Sequence, residues 1–182
     1  QLEAITENND FFDVAYEVAL DISRYGTGIF KLRYDNRAII EAIPPSLWFP
    51  VVSPDNIKDV RAHVIAWTFD VATPTLLNKD KKTTYLRLEI HEKGKIMNKL
   101  FELKDGTIKQ ELDITSFYDD IEVEQQTGID DFLVVPVHNI LTSDRVYGQD
   151  DYSDLDSVIQ ELEIRVAQIS RILDKHADPN MA

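Results

Sequence analysis

Three strand-like stretches joined by two-residue turns constrain this chain more than any other feature. Thr83 to His91 alternates Leu86, Leu88 and Ile90 with Arg87 and Glu89, after Tyr85. Lys93-Gly94 turns the chain and Ile96 to Leu103 runs back; Asp105-Gly106 turns it again and Ile108 to Ile114 follows. Side chains two residues apart share one face of a strand, so this alternation marks a half-buried sheet. Asp-Gly supplies the positive φ angles that a two-residue hairpin needs. A connection this short joins only antiparallel neighbours, because parallel strands need a long crossover. The segment is therefore predicted to be a meander.

The flanking sequence extends the sheet and adds helices. Asp10 to Tyr25 places Phe11, Val14, Ala15, Val18, Leu20 and Ile22 at helical spacing, with Asp10 as N-cap and Gly26 and Gly28 as breakers. Gly28 to Tyr34 and Arg37 to Ile43 form a predicted hairpin about Asp35-Asn36, closed by Pro44-Pro45. Ser46 to Val52 is short and apolar, with Trp48 and Phe49; a turn at Ser53-Pro54-Asp55-Asn56 leads to a long strand, Val60 to Val71. Ala72 to Lys82 reads as a polar loop, Asp113 to Asp131 as acidic and irregular, and Asn139 to Asp151 as loop. Between the last two, Phe132 to Val137 is a short buried-type strand containing Pro136. The expected class is α+β: an N-terminal helix, an antiparallel β-rich region, and a long C-terminal helix.

That last helix is predicted from Asp154 to His176, with Ser153 as N-cap and Asp154 and Asp156 in the first turn, where the helix dipole favours them. Leu155, Ile159, Leu162, Val166, Ile169 and Leu173 repeat at alternating spacings of four and three, a continuous heptad seam about 35 Å long. Ile164 and Ile172 lie off it, and Pro179 stops the helix. The seam demands cover, either from the chain's own sheet or from another subunit. The organisation expected is residues 1–152 as helix plus β-rich region and 153–182 as helix and exit.

Composition narrows the function classes. The 182 residues carry a formal net charge of −14, which opposes a surface built to grip phosphate or anionic lipid. There are no cysteines, so disulfides, thiolate catalysis and Cys-type zinc sites are excluded. No apolar run approaches the ~18 residues of a bilayer span, so no membrane partner is expected.

No catalytic motif emerges. His63, His91, His138 and His176 share no metal-ligand spacing, and His91-Glu92 lacks a second histidine at Lys95. A calcium loop counted from Asp150 fails at Tyr152 and at Leu155, where the turn needs Gly. The pairs Asp119-Asp120 and Asp130-Asp131 suggest a two-metal nuclease only on paper; adjacent strand residues point to opposite faces, and in loops they are solvated. Neither cofactor nor metal is expected, and the chain reads as a non-enzyme.

Two stretches together resemble the portal proteins of tailed bacteriophages. One runs from Val135-Pro136-Val137-His138-Asn139 through Tyr147-Gly148-Gln149-Asp150-Asp151-Tyr152-Ser153-Asp154-Leu155 into the helix ending Lys175-His176-Ala177-Asp178-Pro179. The other runs from Tyr25-Gly26 to Pro44-Pro45. Whole portal subunits are much longer; Gln1 and Ala182 read as cut ends, with the rest of the wing, the clip and the crown missing. The resemblance implies a structural subunit of a homo-oligomeric ring, commonly of about twelve copies. Such a ring sits at the capsid vertex of the virion, assembles in the host cytoplasm, and forms the channel for DNA packaging and ejection. Its partners are the terminase, head–tail adaptor proteins, and double-stranded DNA that passes without tight binding. On that reading the β-rich region belongs to the wing and the last helix to the stem. Leu155, Ile159, Leu162, Val166, Ile169 and Leu173 pack subunits, and Asp154, Asp156, Glu161, Glu163 and Asp174 keep the channel repulsive. The alternatives are another phage-related virion structural or assembly protein, and a metal-dependent nuclease using the acidic loops.

Overall fold

A computed structural model describes residues 2–72, 82–118 and 120–177. Most of the predicted loop Ala72 to Lys82, together with Asp119 and Pro179, lies outside the described residues. The fold is α+β, as expected: short N-terminal helices, antiparallel sheets and a long C-terminal helix.

Helix α1 (Leu2–Asn8), unforeseen from the sequence, precedes α2 (Phe11–Tyr25). Asp10 stands at the N-cap of α2, but its side chain makes no capping bond. Its backbone is left-handed (φ 46°), which turns the chain sharply from α1 into α2, and its carbonyl accepts from the Asp13 amide. The predicted cap is thus a kink, because a second helix sits directly before it.

Strands β1 (Thr27–Asp35) and β2 (Arg37–Ile43) form the expected hairpin, with Asn36 at φ 55°. Strand β9 (Val134–His138) adds to the other side of β1, giving a sheet ordered β2-β1-β9. Pro136 is tolerated because, among the described residues, β9 is the edge strand of this sheet.

The larger sheet is a meander of β3 (Trp48–Ser53), β4 (Asn56–Ala72), β5 (Lys82–Glu92), β6 (Lys95–Lys104) and β7 (Thr107–Leu112). Asp105 and Gly106 both take positive φ, as the turn signal required. Ile114, expected at the end of β7, instead lies buried in a 3-10 turn. A short strand β8 (Glu124–Gln126) pairs with β6 in the stretch read as irregular. Its three residues are all exposed and polar, so no periodicity announced it.

Alternation identifies two faces of a strand but not which is covered. Here the covered face carries the charges. Trp48, Ile65, Glu89 and Asn98 stand in register across β3 to β6, as do Trp67, Arg87 and Leu100. Ile29 and Val134 from the small sheet join Trp48 and Ile65 in one buried cluster. Tyr85, Leu100 and Ile114 form a second. Across the gap Lys31 on β1 pairs with Glu89 on β5, which also takes Arg87 at 3.1 Å. Arg87 lies between the rings of Trp67 and Tyr118, 4.9 and 4.7 Å from their centroids. Burial alone would raise the pKa of Glu89. His91, Lys31 and Arg87 reverse that and hold it at about 2. The His91 contact is long at 3.5 Å, so the two cations carry most of this effect.

Trp48 donates its indole N–H to His63 Nδ1 at 3.1 Å. Burial, with a smaller contribution from His91, lowers the His63 pKa to about 4. The unfolded chain takes up this proton below pH ~6.5, whereas the folded chain resists until about 4. Stability should therefore be full above pH 6.5 and fall between 6.5 and 4, by roughly 3 kcal/mol from this group. His63→Gln keeps an acceptor for Trp48 and cannot titrate; thermal melts across that range should show a flatter profile for the variant.

Candidate assembly interface

Helix α3 (Asp156–Ala177) follows a 3-10 turn at Ser153–Leu155. Every described residue from Asp151 to Ala177 is exposed, and no residue of α3 is buried. Leu155 (48% exposed), Ile159 (44%), Leu162 (62%), Val166 (58%), Ile169 (56%) and Leu173 (63%) are uncovered. The seam does not pack on its own sheet.

At ~100° per residue these six side chains fall within an arc of about 80°. Ile159, Val166 and Leu173 take the a positions, and Leu155, Leu162 and Ile169 the d positions. Val158 and Ile172, both exposed, occupy g and widen the stripe beyond a two-stranded seam. A stripe of that width suits more than one neighbouring helix. The five acidic residues do not form one face. Asp156, Glu163 and Asp174, spaced by seven and eleven residues, line one flank. Glu161 lies on the other and accepts from Arg165 Nε at 2.7 Å. Asp154 Oδ1 accepts from Gln149 Nε2.

The root of α3 is held where three separated segments cross. Gly26 ends α2 in the left-handed conformation (φ 75°), and Gly148 lies against it. A Cβ on either glycine would overlap the other's backbone. Asn139 donates its amide to the Gly26 carbonyl at 2.9 Å and its side-chain N–H to Asp151 Oδ1 at 2.6 Å. Asp151 Oδ2 accepts from Ser23 Oγ at 2.7 Å, and the Asp151 amide donates to the Ser23 carbonyl at 3.0 Å. Gly148 N donates to Thr27 Oγ1 at 2.9 Å, which leaves the Thr27 hydroxyl proton for His138 Nδ1 at 3.0 Å. Burial, then the Lys58 charge, lowers the His138 pKa, which keeps that acceptor available.

Ser153, expected as the N-cap, sits inside the 3-10 turn. The capping acceptor is Asp150, whose carboxylate takes the amides of Tyr152 and Ser153 at 2.8 and 2.6 Å and the Ser153 hydroxyl at 2.9 Å. These bonds, led by Ser153, hold the Asp150 carboxyl below the usual carboxylate range. The carboxylate is thus occupied by hydrogen bonds, which accounts for the Asp150–Asp154 cluster without a cation.

A second uncovered surface was not read from the sequence. Both buried clusters lie on the inner face of the large sheet. Its outer face aligns Phe49, Val64, Ile90 and Met97 in one row, and Leu86 and Phe101 in another, with Leu88 between. Phe49 and Val51 are exposed and the others only half-buried. The signal was present as Leu86, Leu88 and Ile90, but alternation does not report which side is packed.

Among the described residues no group of three or more His, Asp or Glu side chains gathers as a metal site. Asp131 accepts from the Phe132 amide at 2.8 Å, and Asp120 and Asp130 are exposed. No described helix is long and apolar enough to cross a membrane. No family model matches this chain, and no curated protein matches it in sequence.

Gly148→Ala should cost about 3 kcal/mol or more, because backbone must move. Asn139→Ala should cost about 1–2 kcal/mol, from two lost hydrogen bonds. Denaturant unfolding of both variants checks the order.

Proposed function

We propose that this chain is a subunit of a phage portal ring, a structural part of the channel through which DNA enters and leaves the capsid. The single observation that carries the proposal is α3: a 22-residue helix that leaves the body with its apolar stripe uncovered. A ring closes through heterologous contacts, so each subunit needs two different surfaces. The α3 stripe and the outer face of the large sheet are two such surfaces. The resemblance gains support from the joint, since Tyr25-Gly26, Val135 to Asn139 and Tyr147 to Ser153 meet there.

Acidic flanks suit a wall that DNA slides past, because a wall that bound phosphate would stall translocation. On this reading the Asp156, Glu163 and Asp174 flank faces the bore, while Glu161 and Arg165 face a neighbouring subunit. Terminase and head–tail adaptors dock on the assembled ring at the capsid vertex. The role needs no cofactor and no catalytic group.

Sedimentation velocity tests assembly. The expected result is a closed, ring-sized species that Leu162→Asp and Ile169→Asp convert to monomer with helicity retained. A wild-type chain that stays monomeric at high micromolar concentration would overturn the proposal. Glu163→Lys should reduce the DNA packaged per particle more than Glu161→Lys does, measured as encapsidated genome length. Equal, undiminished packaging in both would remove Glu163 from the bore.

A further inference from the structure

Between the β1–β2 hairpin and strands β5 and β6 lies a cavity of about 740 Å³. That is ample for a small organic ligand, whose sites usually span ~300–1,000 Å³. Nothing in the assembly reading uses it.

Its polar floor comes from one side of β5. Arg87, Glu89 and His91 are spaced by two, so all three point the same way, with Lys31 opposite on β1. Lys31, Arg87 and Glu89 have side chains only 13%, 11% and 11% exposed. One buried carboxylate therefore faces two largely covered cations, an excess of positive charge inside a strongly acidic chain. Arg33 also lines the cavity but is held by Glu41 at 2.7 Å, and Asp120 sits exposed at the edge.

Among the described residues, three buried nitrogens at this floor have no hydrogen-bond partner: Arg87 Nε and both ring nitrogens of His91, which is 1% exposed. The 3.5 Å approach of His91 Nε2 to Glu89 is too long for a good bond. Buried donors without partners are rare and costly, and an unbalanced buried cation more so. Here the charge sign and the free donors call for the same thing, an anionic acceptor. Trp67 and Tyr118 hold the Arg87 guanidinium in place from both sides, so it is oriented before anything binds. The walls above the floor combine aliphatic side chains, Ile39 from β2, Ile96 from β6 and Leu133, with the polar Gln125, Gln126 and Thr127.

We propose that this cavity binds a monocarboxylate with an apolar tail. The carboxylate takes Arg87 Nε–H and a His91 ring N–H and balances the surplus cation. The tail lies against Ile39 and Ile96. A single negative charge fits better than a phosphate dianion, because the floor's surplus is one charge.

Decanoate is the probe, titrated into the full chain by calorimetry and followed by the methyl NMR signals of Ile39 and Ile96. The expected result is saturable one-to-one binding, with decanol at least about tenfold weaker. His91→Leu removes both ring nitrogens at similar volume and should weaken decanoate at least about tenfold. Arg87→Gln should do the same; because this change also removes the cation lying over the Trp67 and Tyr118 rings, the decanol comparison on the unaltered chain serves as the independent test. Absence of saturable binding at millimolar decanoate, equal affinity for decanol, or unchanged decanoate affinity in folded His91→Leu would each overturn the proposal.

Discussion

The close crossing of Gly26 and Gly148 sets the direction of everything beyond it. Helix α3 buries nothing, so hydrophobic packing cannot aim it. Its position rests on backbone contact and on a few hydrogen bonds, each worth about 1 kcal/mol net. The contact needs two residues without a Cβ, one of them at positive φ. Once the chains touch there, Asn139 and Thr27 reach their partners, and Asp151 can bridge Ser23 and Asn139.

The large sheet makes the same point from another side. Its inner face holds a line of polar groups between two sheets: the Trp48–His63 pair, then Glu89 with Lys31 and Arg87. Burying these is tolerable because most are paired, and the exceptions concentrate at one cavity. The more uniformly aliphatic face, through Leu86, Leu88 and Ile90, is left outside. The inner face nevertheless carries both buried clusters, through Trp48 and Ile65 and through Tyr85 and Leu100, and covering that apolar surface is the main driving force for folding.

The sequence determined a great deal locally. Period-two alternation located β1, β2, β5, β6 and most of β4, and Asp105-Gly106 set its turn through the φ angles that only such pairs accept readily. The heptad spacing located α3 and its stripe, because helical periodicity depends on neighbours in sequence alone. It placed Asp10 at the N-cap of α2 but not the missing side-chain bond there, and it misjudged Ser153, where an upstream Asp150 supplies the capping carboxylate. It missed β8, which is a strand only because β6 offers an edge.

What only the tertiary structure decided is which surfaces are covered. Alternation defines two faces symmetrically, and a heptad seam is equally apolar whether a sheet or a sister helix lies on it. Residues far apart in sequence made those choices: Lys31 meeting Glu89, Trp48 stacking near Ile29 and Val134, Gly148 lying on Gly26. Local sequence fixes torsion angles and periodicity, which are short-range properties. Burial and charge pairing depend on distance in space, so they exist only once the chain has come together.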